Sequence, residues 1–440
     1  MPSASVPATA KQAHDTRDPR QWGWVEPTVW SERMLAALVN GVMGGKWYSL
    51  WDKVCDRRTL EASWRAVARN QGAAGVDGQS VQRFAAQAER YLDELAADLQ
   101  AGRHHPADVR RTYIPKAGGG QRPLGIPTVK DRIVQGAVKR VLEPIFEWEF
   151  LDVSYGFRPG RGAKDALRAV DQHLKAGHTW VVDADLKSYF DTIPHTTLLA
   201  KVAAHLSDGR VLALIQAYLE QGILEGLQRW TPTQGTPQGA VLSPLLANLY
   251  LHGLDAQMSA QGHAIVRYAD DFVILCATEA EAHHALAQVQ AWTAAQGLTL
   301  HPDKTHLGDC RQAGQGFEFL GYRFEGGRRF VRRKSFTAIR AKIRAKTGRS
   351  RGSSLERIVA ELNPMLKGWF NYFKHAQGAV FTILDGFVRR RLRAILRRQH
   401  HLKGRLGHSL EDHRRWPNAF FAERGLFTMT EAHALARQSR

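Results

Sequence analysis

The stretch Ala264-Ile-Val-Arg-Tyr-Ala-Asp-Asp-Phe-Val-Ile-Leu-Cys276 decides the reading of this chain. Two apolar, strand-forming runs, Ala264 to Tyr268 and Phe272 to Cys276, flank a tight turn carrying Asp270 and Asp271, the pattern of a hairpin. Adjacent carboxylates at a hairpin tip repel each other and cap no helix. A divalent cation shared with a third carboxylate removes that repulsion, and such a hard, oxygen-only site suits Mg²⁺ or Mn²⁺. Asp185, at the end of the apolar run Thr179-Trp-Val-Val-Asp-Ala-Asp185, supplies the third ligand. Asp183 lies on the same face of that strand, and spacing alone leaves it a competitor. By itself an Asp-Asp pair is a solvated turn; the flanking strands and the surrounding motifs give it weight.

Working outward, apolar steps of three and four residues predict helix from Trp30 to Trp64 and again from Val81 to Leu99. A short strand, Val109-Arg-Arg-Thr-Tyr-Ile-Pro-Lys116, and the run Gln121-Arg-Pro-Leu-Gly-Ile-Pro127 enclose glycines and read as a hairpin. A long helix is predicted from Thr128 to about Phe150, followed by the arginine-bearing loop Ser154-Tyr-Gly-Phe-Arg-Pro-Gly-Arg161 and a helix from about Ala163. A helix-rich stretch runs to about Gly222, and Gln234-Gly-Thr-Pro-Gln-Gly239 feeds a helix through Leu254. Another helix covers about Glu279 to Gln296, and the strand-like pieces Leu298–His301 and Phe317–Phe324 close the sheet. From Ser335 onward the pattern is helical and basic.

The formal net charge of +19 is segregated: between Arg328 and Arg405 stand 22 Lys and Arg against Glu356, Glu361 and Asp385, and elsewhere the charges cancel. A merely basic protein has no reason to concentrate its excess this way, so the segment reads as a surface for a polyanion. The apolar fraction of 44% excludes a disordered chain. No apolar run reaches the roughly 18 residues of a membrane span. The first twenty residues are no secretory signal. Cys55, Cys276 and Cys310 have neither metal-site nor redox spacing, which fits a reducing, cytoplasmic setting.

Tyr268-Ala-Asp-Asp271 resembles the catalytic box of reverse transcriptases. The order of motifs is similar to that of group II intron-encoded reverse transcriptase–maturases, most of all the compact bacterial class C type. From about Trp30 onward the resemblance takes in Gly75-Val-Asp-Gly78, Ile114-Pro-Lys116 with Arg122-Pro-Leu-Gly-Ile-Pro127, and Tyr155-Gly-Phe-Arg-Pro-Gly160. It continues through Val182-Asp-Ala-Asp-Leu-Lys-Ser-Tyr-Phe-Asp191, Gly235-Thr-Pro-Gln-Gly239, Ser243-Pro-Leu-Leu-Ala-Asn248 and His301-Pro-Asp-Lys-Thr305. It ends on Phe319-Leu-Gly-Tyr322 and Gly368-Trp-Phe-Asn-Tyr-Phe373.

The resemblance implies an α+β right-hand polymerase, fingers and palm with an antiparallel sheet followed by an α-helical basic thumb or maturase domain. Its divisions would fall at 1–29 (a disordered tail), 30–107 (extension and first block), 108–180 (fingers), 181–332 (palm), 333–400 (thumb) and 401–440. That last segment is expected to be either a small DNA-binding appendage or a closing element of the thumb.

Carried over by position, the resemblance selects Asp185 over Asp183 and makes Asp185, Asp270 and Asp271 the catalytic ligands of two Mg²⁺ (Mn²⁺ as substitute). It gives Lys116 and Arg122 the triphosphate, Phe190 the steric gate against a 2′-hydroxyl, Gln238 the nascent base pair, and Lys304 the proton for pyrophosphate. Core packing is the other reading of Phe190. On the predicted helix Asp385–Arg398 an apolar stripe leaves Arg389, Arg390, Arg393, Arg397 and Arg398 on other faces for nucleic acid. The implied partners are intron RNA, an RNA template with DNA primer, target DNA and dNTPs, without a membrane. With no cysteine after Cys310, the HNH endonuclease of many relatives is not expected. Two other readings are a domesticated, intron-free reverse transcriptase in DNA repair or phage defence, and an RNA-binding splicing factor without polymerase chemistry.

Overall fold

The computed structural model describes residues 22–115, 120–349, 352–402, 407 and 409–438. Lys116 and His408 lie outside the described residues, as do residues 1–21 of the expected tail. The rest of that tail is packed: Trp22, Val25 and Val29 are buried, and Trp22 stacks on Trp148. The chain divides into two compact units, one of 1–170, 184–274 and 280–305, the other of 171–183, 275–279 and 306–440.

The first unit is organised on the helix Val129–Glu149, whose Ile133, Val134, Ala137, Val138, Val141 and Leu142 are wholly buried. Thr128 caps it, accepting from the Asp131 N–H at 3.1 Å. Beside it lies the helix Arg57–Asn70, capped by Asp56. The helical pattern expected over Trp30 to Trp64 is interrupted, as helices Glu32–Asn40, Trp51–Cys55 and Arg57–Asn70. Asp208 accepts from the Leu50 and Trp51 N–H groups at 2.8 and 2.9 Å, fixing the second of these starts. The helix expected from Val81 to Leu99 likewise divides, into Val81–Ala85 and Ala88–Gln100, because Gln87 leaves helical geometry.

Strands β1 (Val109–Pro115) and β2 (Gln121–Ile126) form the expected hairpin, Ile114 opposite Arg122. Strand β3 is Trp180–Asp185. A second hairpin, β4 (Ile223–Glu225) with β5 (Gln228–Trp230), was not anticipated; β4 pairs with β1 in parallel, giving the order β2-β1-β4-β5. Its turn residues, Gly226 and Leu227, separate strands of only three residues, too short for periodicity to register. The helix Ser243–Ala260 runs past the expected Leu254 and leads into β6 (Ala264–Tyr268) and β7 (Asp271–Cys276). The strand expected over Leu298–His301 is reduced to one bridge, Leu186 to Leu300.

In the second unit the first half of β3 pairs antiparallel with β8 (His306–Asp309), Trp180 opposite Asp309. The run Phe317–Phe324 is a bent pair, β9 (Phe317–Phe319) and β10 (Tyr322–Glu325), because Leu320 and Gly321 adopt left-handed φ of 46° and 85°. Strand β11 (Arg328–Val331) completes that antiparallel sheet. Tyr322 and Tyr372 tie it to the helix Leu355–Phe373, each hydroxyl donating to a carbonyl, of Tyr372 and Leu320 respectively.

Helices Arg333–Lys346, Leu355–Phe373 and Ala379–Gln399 make the basic helical part, with Leu362, Leu366, Phe381, Leu384 and Leu392 fully buried. The chain beyond residue 409 closes it: Trp416, Phe421 and Met429 are buried, and Asp385 accepts from the N–H groups of Met429 and Thr430. The same packing corrects two of the expected nucleic-acid contacts. Arg393 is buried, donating to the Trp416 carbonyl at 2.8 Å and Asn418 Oδ1 at 2.9 Å. Arg397 pairs with buried Asp412 at 2.6 Å. Arg390 and Arg398 are exposed and Arg389 is partly so.

Arg397→Ala strands a buried carboxylate and is expected to destabilise this unit by about 3 kcal/mol, whereas exposed Arg390→Ala changes stability by less than about 0.5 kcal/mol. Urea denaturation measures both. Burial opposes the Asp412 charge, but hydrogen bonds from Arg397 and Ser409 hold its carboxyl below the usual value. The pair's contribution is therefore full above the ordinary aspartate range and fades as pH falls through the depressed native value. Wild type and R397A accordingly converge in stability in acid.

Candidate active site

Strand β3 ends at Asp185, and β7, which starts at Asp271, lies between β6 and β3 in its sheet. The hairpin of β6 and β7 and the end of β3 thus bring together carboxylates that stand far apart along the chain. Burial and then the negative charge of Asp185 push the Asp270 carboxyl above its ordinary range, while Arg122 and Arg267 act to lower it. Asp185, Asp270 and the hairpin residue Arg122 therefore share one electrostatic neighbourhood.

Phe190 and Gln238 meet in a cleft of about 260 Å³, together with Arg111, Gly125, Trp230 and Pro237. Tyr189, not Phe190, is the core residue: its hydroxyl donates to the Ala247 carbonyl at 2.6 Å, and Phe190 stays partly exposed. The Phe190 carbonyl accepts from the Thr236 N–H at 2.6 Å, coupling the two sides of the cleft. Gln238 accepts from the Gly125 N–H at 2.7 Å through its carbonyl. Gly239, at φ 106°, allows this approach; a Cβ there would stand 2.5 Å from the Gly125 oxygen.

Lys304 falls in the turn Pro302–Lys304, and its ammonium donates to Asp185 Oδ2 at 2.8 Å. It is thus bonded to an expected metal ligand. As the side chains stand, no three acids or histidines among the described residues are close enough to close on one ion. The donor set nevertheless fits a hard divalent cation. Its members are carboxylates, two of them repel each other, and a lysine ammonium already neutralises one.

Sequence reasoning missed the layer behind the acids. Arg267, on β6, is wholly buried. Its Nε donates to Asp255 Oδ1 at 2.7 Å, and its Nη1 donates to Asn248 Oδ1 and to the Ala269 carbonyl, both at 2.9 Å. Burial disfavours its charge, but Asp255 more than restores it. Asn248 donates in turn to the Gly156 carbonyl at 2.8 Å. Ala269, between Tyr268 and the acids, is held at φ 60°, a conformation non-glycine residues rarely adopt. Gly156 packs flat on this turn, where a Cβ would stand 2.9 Å from the Tyr268 carbonyl carbon and collide with the Ala269 nitrogen. The loop bearing Gly156 is fixed by Arg158, which pairs with Glu147 and donates to the Ser154 carbonyl. The one sequence signal for this layer was an arginine inside an otherwise apolar strand.

The family described as "Reverse transcriptase (RNA-dependent DNA polymerase)" matches residues 114–324, and "Group II intron, maturase-specific domain" matches 336–416. The chain is 35% identical to Protein YkfC of Escherichia coli over 57% of this chain and 75% of that protein. It is 43% identical to the group II intron-encoded protein LtrA of Lactococcus lactis over 38% of this chain, and 41% identical to a 91 kDa protein in a cob intron of Schizosaccharomyces pombe over 37%. Those matches span only 28% and 20% of the two intron proteins' own lengths. The chain belongs to the group II intron reverse transcriptases, RNA-directed DNA polymerases that carry a maturase-specific domain. That family depends on divalent metal ions.

Gly156→Ala forces the turn at Ala269 to shift. A misplacement of about 1 Å at reacting groups costs on the order of 100-fold in rate. Single-turnover dNTP incorporation by G156A is expected to fall by about that factor with little change in binding of primer–template.

Proposed function

We propose that this chain copies an RNA template into DNA by nucleotidyl transfer at Asp185, Asp270 and Asp271, and binds the RNA of a group II intron through its helical basic unit. The observation that carries the first part is the sheet order that sets β7, which begins at Asp271, beside β3, which ends at Asp185, with the Lys304 ammonium bonded to Asp185 at 2.8 Å. Asp185, Asp270 and Asp271 would hold two Mg²⁺, which when bound activate the primer 3′-oxygen and neutralise charge on the leaving phosphates.

The remaining chemistry belongs to the chain's own side chains. Arg122 offers forked donors to the triphosphate, and Lys116, across the hairpin in sequence, adds a second cation. Phe190, anchored by its carbonyl and by Tyr189 beside it, presents a ring beneath the sugar and excludes a 2′-hydroxyl. The backbone of Gln238, pinned to Gly125, lays its side chain along the new base pair. Lys304 is 60% exposed, so its ammonium is free to turn from Asp185 toward the departing pyrophosphate and give it a proton.

A splicing factor without polymerase chemistry has no need of the buried Arg267 layer, and this favours the enzyme. No described helix is long and apolar enough to cross a membrane.

Primer extension on an RNA template with Mg²⁺ tests the reading. Wild type is expected to incorporate dNTPs, and Asp270→Ala to abolish incorporation without loss of RNA binding; equal extension by both proteins rejects the site. Phe190→Ala is expected to incorporate ribonucleotides more readily, read as the ratio of kcat/KM for dNTP and NTP. Unchanged sugar discrimination removes Phe190 from the gate.

A further inference from the structure

Phe190 stands on a helix of one turn, Tyr189–Thr192, entered through Ser188 at a left-handed φ of 50°. A helix that short has too few internal hydrogen bonds to hold its own place. Its position is set by anchors outside it. Tyr189 supplies one, through the Ala247 carbonyl. The other lies in the loop Gln234–Gln238 and passes through a side chain that no step of the reaction uses.

That side chain is His195, the first residue of the helix His195–His205. It is buried, and its Nε2 lies 2.7 Å from the Gly235 carbonyl oxygen. A carbonyl can only accept, so Nε2 carries the hydrogen and donates. The nitrogen of the same peptide unit, that of Thr236, donates to the Phe190 carbonyl at 2.6 Å. One planar trans peptide group thus joins the imidazole of His195 at one edge to the backbone of Phe190 at the other.

Around this relay the two segments meet closely. The Gly235 N–H donates to the Ile193 carbonyl at 2.7 Å, and Pro194 bridges to Gln234. Gly235 has a φ of 89°, and a Cβ there would stand 2.8 Å from the carbonyl oxygens of both Phe190 and Asp191. Thr236 is buried, yet its hydroxyl finds no partner among the described residues, so that side chain does not hold the loop. Leu198 and Val202, on the helix of His195, are wholly buried and root the imidazole in the core.

A peptide group is rigid, so whatever tilts it disturbs the bonds at both of its edges. Without the His195 donor the buried Gly235 carbonyl is unpaired, and it regains a partner only by turning. Turning it draws the Thr236 N–H off the Phe190 carbonyl, and the ring moves with its backbone. Exclusion of a single hydroxyl works by contact and tolerates little displacement, on the order of 1 Å.

We infer that His195 is a positioning residue for sugar selection: through the Gly235–Thr236 peptide it sets the Phe190 ring against the 2′ position of the incoming nucleotide. The inference rests on the reading of Phe190 as the gate. His195 does not itself line the cleft in which Phe190 stands, so it acts through that peptide alone.

The test measures kcat/KM for one dNTP and the matching NTP, with Mg²⁺ on an RNA template carrying a DNA primer. It compares wild type, His195→Leu, His195→Gln, Phe190→Ala and the double variant His195→Leu/Phe190→Ala. The ratio of dNTP to NTP is expected to fall about tenfold in His195→Leu. His195→Gln, whose amide reaches as far as Nε2 and still donates, should keep most of the wild-type ratio. In the Phe190→Ala background His195→Leu should lower the ratio no further, since the two residues act in series.

An equal fall in kcat/KM for both nucleotides makes His195 a packing element and overturns the inference. A drop in the ratio of the same size with and without the Phe190 ring overturns it too, as does a glutamine variant no more selective than the leucine one. Where His195→Leu does not fold, His195→Asn, polar but too short to reach Gly235, takes its place in every comparison. The two readings fail differently. A wild-type ratio in Phe190→Ala rejects the gate and the inference with it, whereas a relaxed Phe190→Ala beside an unchanged His195→Leu rejects the inference alone.

Discussion

The guanidinium of Arg267 is the fixed point of the polymerase unit. A cation with no solvent access is tolerated only where its charge is paired and its donors are matched, and here Asp255, Asn248 and the Ala269 carbonyl take four of its five N–H groups. Two of these partners come from the helix Ser243–Ala260 and the third is the backbone of the turn that carries the acids. Breaking the turn's geometry would unpair a buried charge, so the left-handed Ala269 is held by electrostatics stronger than its own strain. Asn248 carries the restraint on to the Gly156 carbonyl, and the collision a Cβ would cause at Gly156 explains why that loop ends flat against the hairpin. Asp185, Asp270 and Asp271 are half-buried, whereas the arginine behind them is wholly buried.

On the opposite side of the cleft the restraints are backbone hydrogen bonds. Gly125 to Gln238 and Thr236 to Phe190 link the β1–β2 hairpin, the glycine-rich loop and the short helix after β3. The relative positions of these surfaces are thus set by main-chain geometry. Arg122 brings positive charge to a neighbourhood where Asp185 and Asp270 repel, and Lys304 does the same from the far turn. The repulsion between Asp185 and Asp270 is thus partly offset by cations of the chain itself.

How much of this the sequence disclosed depends on whether the signal was local. Asp270 and Asp271 stood out because apolar strands on both sides left them no structural purpose. The β1–β2 hairpin was legible from glycine and proline. Arg267 lay in plain view, but its partners are set by how a helix returns over a strand, which no residue pattern encodes. The strand expected over Phe317–Phe324 bent because Leu320 and Gly321 turn, and alternation cannot register a turn between two apolar runs. Arg393 and Arg397 were misjudged for a related reason. A helix with one apolar stripe was assumed to have one buried face, whereas Trp416, Phe421 and Asp412 cover a second.

That second face sorts the basic residues into two populations. Where the chain supplies an acceptor, as for Arg158, Arg267, Arg393 and Arg397, an arginine is a rivet, and its charge is spent inside the molecule. Where it supplies only a ring, as at Phe387, the charge remains available to an outside anion. Counting Lys and Arg therefore overstates the binding surface, and burial with hydrogen-bond satisfaction is the better guide to it. By that measure the excess of +19 is not spread over the helical unit. Its unspent part lies where guanidinium groups stand without carboxylates.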